Sequence, residues 1–477
     1  MPAATQSSSV RARPWTDRSL LALAALLLLA AALRIPGLRY GLPFPFLNPD
    51  EESIVPRAWA IGHGEQLDPG WYDYPSLLFY VLAPFEAAFG EPSYGIARAV
   101  AVAIGIGGVA AAWWLGRAAY GNAAALVSGA ACAVATVHVA YSRMAVTDVL
   151  LATGVTIALA LLVTDRLEWA GVAIGLAASA KYPGVLLLTP LLAAAWGRWR
   201  RLAVAAGAAA AAFVVTSPFV VLHAGAAWDD LSRVQRLARA GWLGFERDHP
   251  TPIAFVDRLW EALGPVLLVG LLGLALAAAN IVLKQHKPRL RRADLVLATF
   301  VLVYFAQLLT VDAHFDRYVL PLVPVLGALA GRIRPLVPVA LALLVVPLAW
   351  SVQDARELTR TDTRVVAQAW IEEHVPRDAL VAVEPSTPPV EPRPTVALEL
   401  PGPGRGTDPN RDLEALRNRG VDYVLVSGAV ADRVLAVPGL YPAEAELYRA
   451  LDAMATRVLR VDPGGELAGP WVAVYRL

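Results

Sequence analysis

Long runs of apolar residues recur along this chain, and they leave it few folds to choose from. They lie near 20–33, 94–116, 122–140, 145–163, 168–181, 183–197, 202–222, 261–283, 293–311, 316–330 and 335–351. A helix needs roughly twenty apolar residues to cross a bilayer, and only helices or closed barrels satisfy their own backbone groups there. The expected fold is a polytopic α-helical membrane protein of about eleven spans. The runs at 168–181 and 316–330 are short, so those two are expected to tilt or to break near Pro183 and Pro321. A content of 57% hydrophobic and 17% charged residues carries too much apolar surface for a water-soluble chain. A formal net charge of +1, with no basic arm, argues against a nucleic-acid partner. The single cysteine, Cys132, sits inside an apolar run, which excludes an intrachain disulfide and a cysteine-rich metal site.

Charge placement sets the expected topology. Residues 1–18 carry Arg11, Arg13 and Arg18 and are read as a cytoplasmic N-terminus before a retained first span, because Arg34-Ile35-Pro36 follows without a small-residue cleavage site. The segment 77–89 is interrupted by Glu86 and too short to span, so it is read as an interfacial helix. With that choice the basic loops at Arg117, 165–168, 198–201, 284–292 and 331–334 all fall on the N-terminal side, as the positive-inside rule asks. The loop 39–93, the turns at 141–148, 181–183 and 312–318, the loop 223–258 and everything after Trp350 then face the other side. Three parts follow: 1–18, a membrane domain over 19–351 with its large outer loop 39–93, and an extracytoplasmic domain over 352–477. In the last, helices are expected at 363–374, 411–419 and 444–459, strands at 379–384, 421–427 and 471–475, and a Pro/Gly-rich loop at 385–405. That alternation describes a small α/β domain.

The charged residues of the outer side are the candidates for chemistry. Asn48-Pro49-Asp50-Glu51-Glu52 places carboxylates near hydrocarbon, where they are costly unless they face water, a partner or a substrate; they also suit a plain helix start. Arg143 and Asp148 share the turn 141–148, either as site residues or as a membrane-edge ion pair. Lys181 stands alone among apolar neighbours, where snorkelling to the interface is the simpler reading. Asp312, His314, Asp316 and Arg317 precede Tyr318 in a third turn. The loop 223–258 adds His223, Arg233, Arg236, Arg239, Arg247, Asp248 and His249, a basic face suited to lipid headgroups. Transfer from a lipid-linked phosphate needs a base for an incoming hydroxyl, cations for the departing phosphate and a slot for the tail, and these residue types supply them. No Asp-x-Asp, His-Glu-x-x-His or Gly-x-Ser-x-Gly pattern is present.

In their order these pieces resemble the GT-C superfamily of integral-membrane glycosyltransferases, in the branch of the protein mannosyltransferases and the lipid A aminoarabinose transferase. The residues that carry the likeness are Asp50-Glu51, Tyr74-Pro75-Ser76-Leu77, Ser142 to Asp148, Ala180-Lys181-Tyr182-Pro183 and Arg317-Tyr318-Val319-Leu320-Pro321, over roughly 15–330. The resemblance implies that Asp50 deprotonates an acceptor hydroxyl, that Glu51 and Asp148 position or tune it, and that Arg143, Lys181 and Arg317, with Tyr318, meet the donor phosphate. Tyr74 and Pro75 from the likeness, and His249 from the loop 223–258, are the substrate-loop candidates. It further implies a polyprenyl-phosphate sugar as donor, a lipid, glycan or protein hydroxyl as acceptor, inversion at the anomeric carbon, and a place in the cell membrane. The chain departs from the pattern at Pro75-Ser76, where members often have Pro-Pro, and at Tyr74, where a basic or His residue is frequent. No cofactor is implied, and no sequence pattern supports a divalent cation. A lipid-glycan carrier or flippase is the alternative; it calls for polar residues along a path through the bilayer, whereas these runs are nearly uncharged. A ligand-binding receptor would not need so many spans.

Overall fold

The computed structural model describes residues 17–283 and 288–477. The expectations for Arg11, Arg13 and residues 284–287 lie outside the described residues. Helix α1 (Asp17–Arg34) leads into a turn-rich stretch and then into α2 (Asp50–Gly62) and α3 (Leu77–Glu86). Ile54, Val55 and Ala58 of α2 bury against Leu78, Phe79 and Leu82 of α3. The pair closes tightly at Gly62, where an added Cβ would lie 2.4 Å from the Ala83 carbonyl oxygen. With 10 residues α3 is about 15 Å long, half the hydrocarbon thickness.

A helical bundle follows: α4 (Tyr94–Tyr120), α5 (Asn122–Val134), α6 (Thr136–Tyr141), α7 (Thr147–Val163), α8 (Leu167–Ala180), then a 3₁₀ turn (Tyr182–Leu187) and α9 (Leu188–Ala195). The chain continues through α10 (Trp199–Thr216), α11 (Pro218–Leu222), α12 (Ala224–Ala240), α13 (Thr251–Leu263), α14 (Val266–Leu283) and α15 (Pro288–Leu308). A second 3₁₀ turn (Asp316–Leu322), α16 (Val323–Ala330), α17 (Val337–Leu343) and α18 (Val345–Glu357) complete it. Among the described residues four stretches are long and apolar enough to cross a membrane: Tyr94–Tyr120, Trp199–Thr216, Val266–Leu283 and Arg334–Glu357.

Several apolar runs are not single helices. The run at 261–283 breaks at Gly264-Pro265, and that at 316–330 begins as a 3₁₀ turn holding Pro321, both as proline and glycine dictate. The run at 122–140 breaks at Ala135, which has no such excuse. There the freed carbonyls find donors from other elements: Arg34 bonds Cys132 O and Ala133 O at 3.0 and 2.9 Å, and the Ser351 hydroxyl bonds Val134 O at 2.9 Å. A broken helix at membrane depth is tolerable once its backbone is satisfied in this way.

The polar clusters separate to opposite ends of α7 and α8. Helix α7, at 17 residues, is about 25 Å long. Beyond its last turn Asp165 meets Arg198 at 2.7 Å and Arg292 at 2.5 Å, while Glu168 meets Arg201 at 2.8 Å. Asp294 likewise gathers Arg332 and Tyr120, at 2.8 and 2.9 Å. At the other end of α7 lies Asp148.

After α18 the chain forms an α/β unit. β1 (Thr361–Asp362) leads to α19 (Thr363–His374), β2 (Val381–Val383), β3 (Thr395–Ala397), α20 (Leu413–Asn418), β4 (Tyr423–Ser427), α21 (Gly428–Ala436), α22 (Pro442–Met454), β5 (Thr456–Val461), β6 (Leu467–Ala468) and β7 (Val472–Arg476). The main sheet runs β3-β2-β4-β7-β5, parallel across β3-β2-β4 and antiparallel at β7. Two details differ from the sequence expectation. Strand β3 lies inside the expected loop 385–405, and the expected helix 444–459 ends at Met454, where the β-branched Thr456, Val458 and Val461 turn the chain into an edge strand. The unit docks on the stretch between α1 and α2: Arg364 bonds Phe46 O at 2.9 Å and lies 4.2 Å from the Phe46 ring. Gly37, at φ 81°, lets Leu358 approach, since a Cβ there would meet Leu358 Cβ at 2.4 Å.

Candidate active site

Asp50 opens α2, where the Asn48 side chain accepts its backbone N–H at 2.9 Å and three acids in the first turn face the positive end of the helix. Its carboxylate is held by one oxygen. Tyr74 O–H and Arg317 Nη1 both donate to Oδ2, each at 2.8 Å. No hydrogen bond from the described residues reaches Oδ1. Burial would push this carboxyl up, but the Arg317 guanidinium and the Tyr74 hydroxyl outweigh it and hold the group below the usual carboxylate range. Burial pushes the Tyr74 hydroxyl well up, against the pull of Arg317, so it stays a donor.

Asp148 sits in the first turn of α7 and Lys181 at the end of α8, where the backbone turns extended. Lys181 Nζ meets Asp148 Oδ1 at 2.6 Å and lies 5.1 and 5.6 Å from the rings of Tyr74 and Tyr318. Arg317 is fixed from behind: Asp316 accepts the Tyr141 hydroxyl at 2.7 Å and the Arg317 backbone N–H at 2.8 Å, setting the start of the 3₁₀ turn. Of the residues that line the chamber, Arg317 and Asp148 each keep one buried polar atom without a partner, Nε and Oδ2. A buried donor and a buried acceptor left open on residues of one cavity are costly unless a ligand completes them.

Asp50 is bonded to Tyr74 and Arg317, which with Asp148, Lys181 and Tyr318 line one cavity of about 700 Å³. Its polar end carries Asp73, Tyr74, Asp148, Lys181, Arg317 and Tyr318. Its remainder is apolar, walled by α8, α9, α10, α12 and α15 through residues such as Ile174, Ala178, Ala206, Ala210, Phe213 and Leu308. The chamber thus joins a charged pocket to an oily groove.

The structure brings Asp50, Tyr74, Asp148, Lys181, Arg317 and Tyr318 together and places four other candidates elsewhere. The Glu51 carboxylate is fully buried, bonded by Arg98 at 2.7 Å and by Ala145 N–H at 2.9 Å, and does not line the chamber. It pins α2 to α4 and to the turn before α7. Arg143 is buried on the far side of that turn, with Nη2 on Leu33 O, and is not a chamber residue. Pro75 is buried beside Tyr74 without reaching the cavity. His249 pairs with Asp257 at 2.8 Å in a separate cleft of about 360 Å³.

Sequence reasoning missed Asp73, Gln235, Tyr304 and Gln307, which line the chamber. Arg239, noted only as part of a basic face, lines it too. A signal existed for Gln307 and Thr310: polar residues three apart at the end of an apolar helix share a face. Asp73 is raised by burial, with Arg233 opposing and Asp230 adding to the rise. Among the described residues no three His, Cys, Asp or Glu side chains gather as a metal site.

Residues 71–306, just under half of the chain, match the model of glycosyltransferase family 87. No curated protein sequence matches it. Among solved structures, ArnT from Cupriavidus metallidurans bound to undecaprenyl phosphate is similar with a TM-score of 0.59 at 15% identity, over 97% of this chain and 98% of that one. The archaeal oligosaccharyltransferase AglB from Archaeoglobus fulgidus, in complex with an inhibitory peptide and a dolichol-phosphate, is similar with a TM-score of 0.58 at 13% identity, over 86% of this chain and 69% of that one. These likenesses show that the chain has the fold of ArnT and AglB, the GT-C glycosyltransferase fold.

Proposed function

We propose that the chain transfers a sugar from a polyprenyl-phosphate donor to an acceptor hydroxyl, with inversion, at the extracytoplasmic face of the cell membrane. The observation that carries the reading is the state of Asp50: one oxygen anchored by a tyrosine and an arginine that line a chamber continuous with an apolar groove, the other oxygen open. In the transfer the acceptor O–H proton passes to Asp50 Oδ1 as the acceptor oxygen bonds the anomeric carbon. The bond from that carbon to the phosphate oxygen breaks, and its electron pair leaves on the phosphate. Arg317 Nε and Lys181 Nζ meet the charge that develops there, and Asp148 Oδ2 accepts from a sugar hydroxyl. Phosphate that engages Arg317 also competes with Asp50 for it. Its arrival weakens the contact that keeps the carboxylate a poor base, so the base strengthens when the donor is seated.

Sidedness and the eleven-span count belong to the same proposal. Their support is that the arginine-rich loops meet one another at Asp165 and Asp294, while the chamber lies at the opposite end of α7 and α8. On this reading the N-terminus is cytoplasmic, and the unit after residue 351 packs on the outer loops as a domain of its own. ArnT and AglB were solved with polyprenyl-type phosphates, which fits the oily groove here.

The groove gives the test. Its wall at Ala206 and Ala210 is a strip of methyl groups that leaves room for an isoprenoid tail. Ala210→Trp should raise KM for an undecaprenyl-phosphate sugar by about tenfold or more, from lost apolar burial, while a ten-carbon analogue is much less affected. Equal effects on both tail lengths would remove the tail from this groove.

A further inference from the structure

The turn that carries Arg317 hangs from α12 and the segment after it. Ala238 O, near the end of that helix, accepts both Asp312 N–H and Ala313 N–H at 2.9 Å. Thr251 O–H donates to Asp312 Oδ1 at 2.9 Å, and Arg258 Nε donates to His314 O at 3.1 Å. Next to these ties lies Phe315. Its ring centre is 5.5 Å from that of Trp242, 5.0 Å from that of Phe245 and 5.6 Å from that of Tyr318, at interplanar angles of 62, 85 and 72°. These are edge-to-face contacts, which hold aromatic rings more firmly than burial alone. The Arg317 guanidinium carbon sits 4.8 Å from the centre of the Phe315 ring.

That last contact matters because Arg317 is otherwise tethered at a single nitrogen. Among the described residues its side chain has one hydrogen-bond partner, Asp50 Oδ2, reached through Nη1 at 2.8 Å, and Nε is left open. A guanidinium tied at one nitrogen can swivel about that bond, whereas a ring packed against it restricts the swing and fixes where the open donor points.

The grip on Phe315 is supplied from the α/β unit. Phe245 N–H bonds Trp242 O at 3.1 Å, closing a turn that sets both rings beside Phe315. Other residues of the same turn go the opposite way. Leu243 is 1% exposed and belongs to the apolar core of the α/β unit, with Leu398, Leu413 and Val434. Glu246 accepts the Tyr441 hydroxyl at 2.6 Å, and Arg247 donates to Ala436 O. Gly244, at φ 100°, lies so near α21 that a Cβ would meet Arg433 Cδ at 2.9 Å. Docking alone would be served by Leu243, Glu246 and Arg247; it does not call for Trp242 and Phe245 to close on the ring that Arg317 rests against.

Resting on the proposed transfer, we infer that Phe315 is a positioning residue for Arg317, and that the α/β unit takes part in donor binding through the loop 242–247, which fixes Phe315. An arginine aimed before the phosphate arrives loses less freedom when it binds.

The test is a double-mutant cycle on the full chain in phosphatidylcholine nanodiscs, read as affinity for undecaprenyl phosphate. F315L is expected to bind about threefold to tenfold more weakly than the parent, the size of a lost cation–ring contact, and F315Y, which keeps the ring, within about twofold of it. In the R317Q background, itself weaker by about tenfold or more, F315L should cost nothing further, because the group it positions is gone. L243A leaves every residue of the Arg317 turn in place; it should weaken binding about twofold or more, and again only while Arg317 is present. No loss in F315L, full additivity of F315L and R317Q, or equal loss in F315L and F315Y would make Phe315 a packing residue and overturn the inference. Parent affinity in L243A would overturn the part given to the α/β unit. R317Q binding as tightly as the parent would instead contradict the donor site of the proposed transfer, and the role of Phe315 with it.

Discussion

Asp50→Asn is expected to lower transfer by about 10²–10⁴-fold while donor binding stays within a few-fold of the parent, the loss typical of a removed general base. Asparagine can keep its amide oxygen toward Tyr74 and Arg317, the two groups that now hold Oδ2, so the chamber keeps its shape. What vanishes is the open oxygen able to take a proton. Arg317, released from a carboxylate, remains available to phosphate. Single-turnover transfer and equilibrium binding of undecaprenyl phosphate, measured on the same preparation, separate the two effects. Transfer at the parent rate would take Asp50 out of the chemistry, and loss of donor binding would make it a structural residue.

Substitution of Arg317 should act on both steps. Arg317→Gln removes the buried unpartnered Nε and the cation beside the leaving phosphate. Donor affinity should drop by about 10–10²-fold for a lost charge-assisted hydrogen bond, and turnover by about 10²–10³-fold for lost stabilisation of the departing charge. The acid limb of the pH profile should also move. Burial raises the Asp50 carboxyl and Arg317 is the leading force that lowers it, so without the arginine its pKa rises. The ionised base is then lost at a higher pH than in the parent, and activity falls earlier on acidification. Arg317→Lys should restore the charge and part of donor affinity but not the planar fork. The Asp50 side chain keeps 22% exposure, so the orphaned carboxylate still reaches solvent and the fold survives. An unchanged acid limb in Arg317→Gln would break the proposed link between the two groups.

Much of this site was legible because it is built from charges stranded beside apolar runs. Asp50, Asp148, Lys181 and Arg317 each break an otherwise oily pattern near the end of a run, and the fold brings the last three to one cavity with Asp50 bonded to Arg317. The same rule misled for Arg143 and gave no buried role to Arg34 or Arg98. Arg34 enters the protein to satisfy carbonyls freed where α5 breaks, Arg143 bonds the end of α1, and Arg98 neutralises Glu51. A sequence does not distinguish an arginine that satisfies backbone from one that faces substrate, because the partner lies about a hundred residues away. The break at Ala135 was hidden for the same reason: no proline or glycine marks it. In the α/β unit the helix pattern over 444–459 ran on past Met454, while pairing with β7 claimed the last residues as strand.

The central claim is spatial: the carboxylate at position 50 faces a lipid-linked phosphate held by Arg317 and Lys181. The most direct measurement is a structure of the full chain with undecaprenyl phosphate bound. The account predicts phosphate oxygens within hydrogen-bond reach of Arg317 Nε and Lys181 Nζ, the tail passing Ala206 and Ala210, and Asp50 Oδ1 turned toward the phosphate. A phosphate seated away from both cations, or a tail leaving by another wall with Asp50 screened from it, would contradict the account.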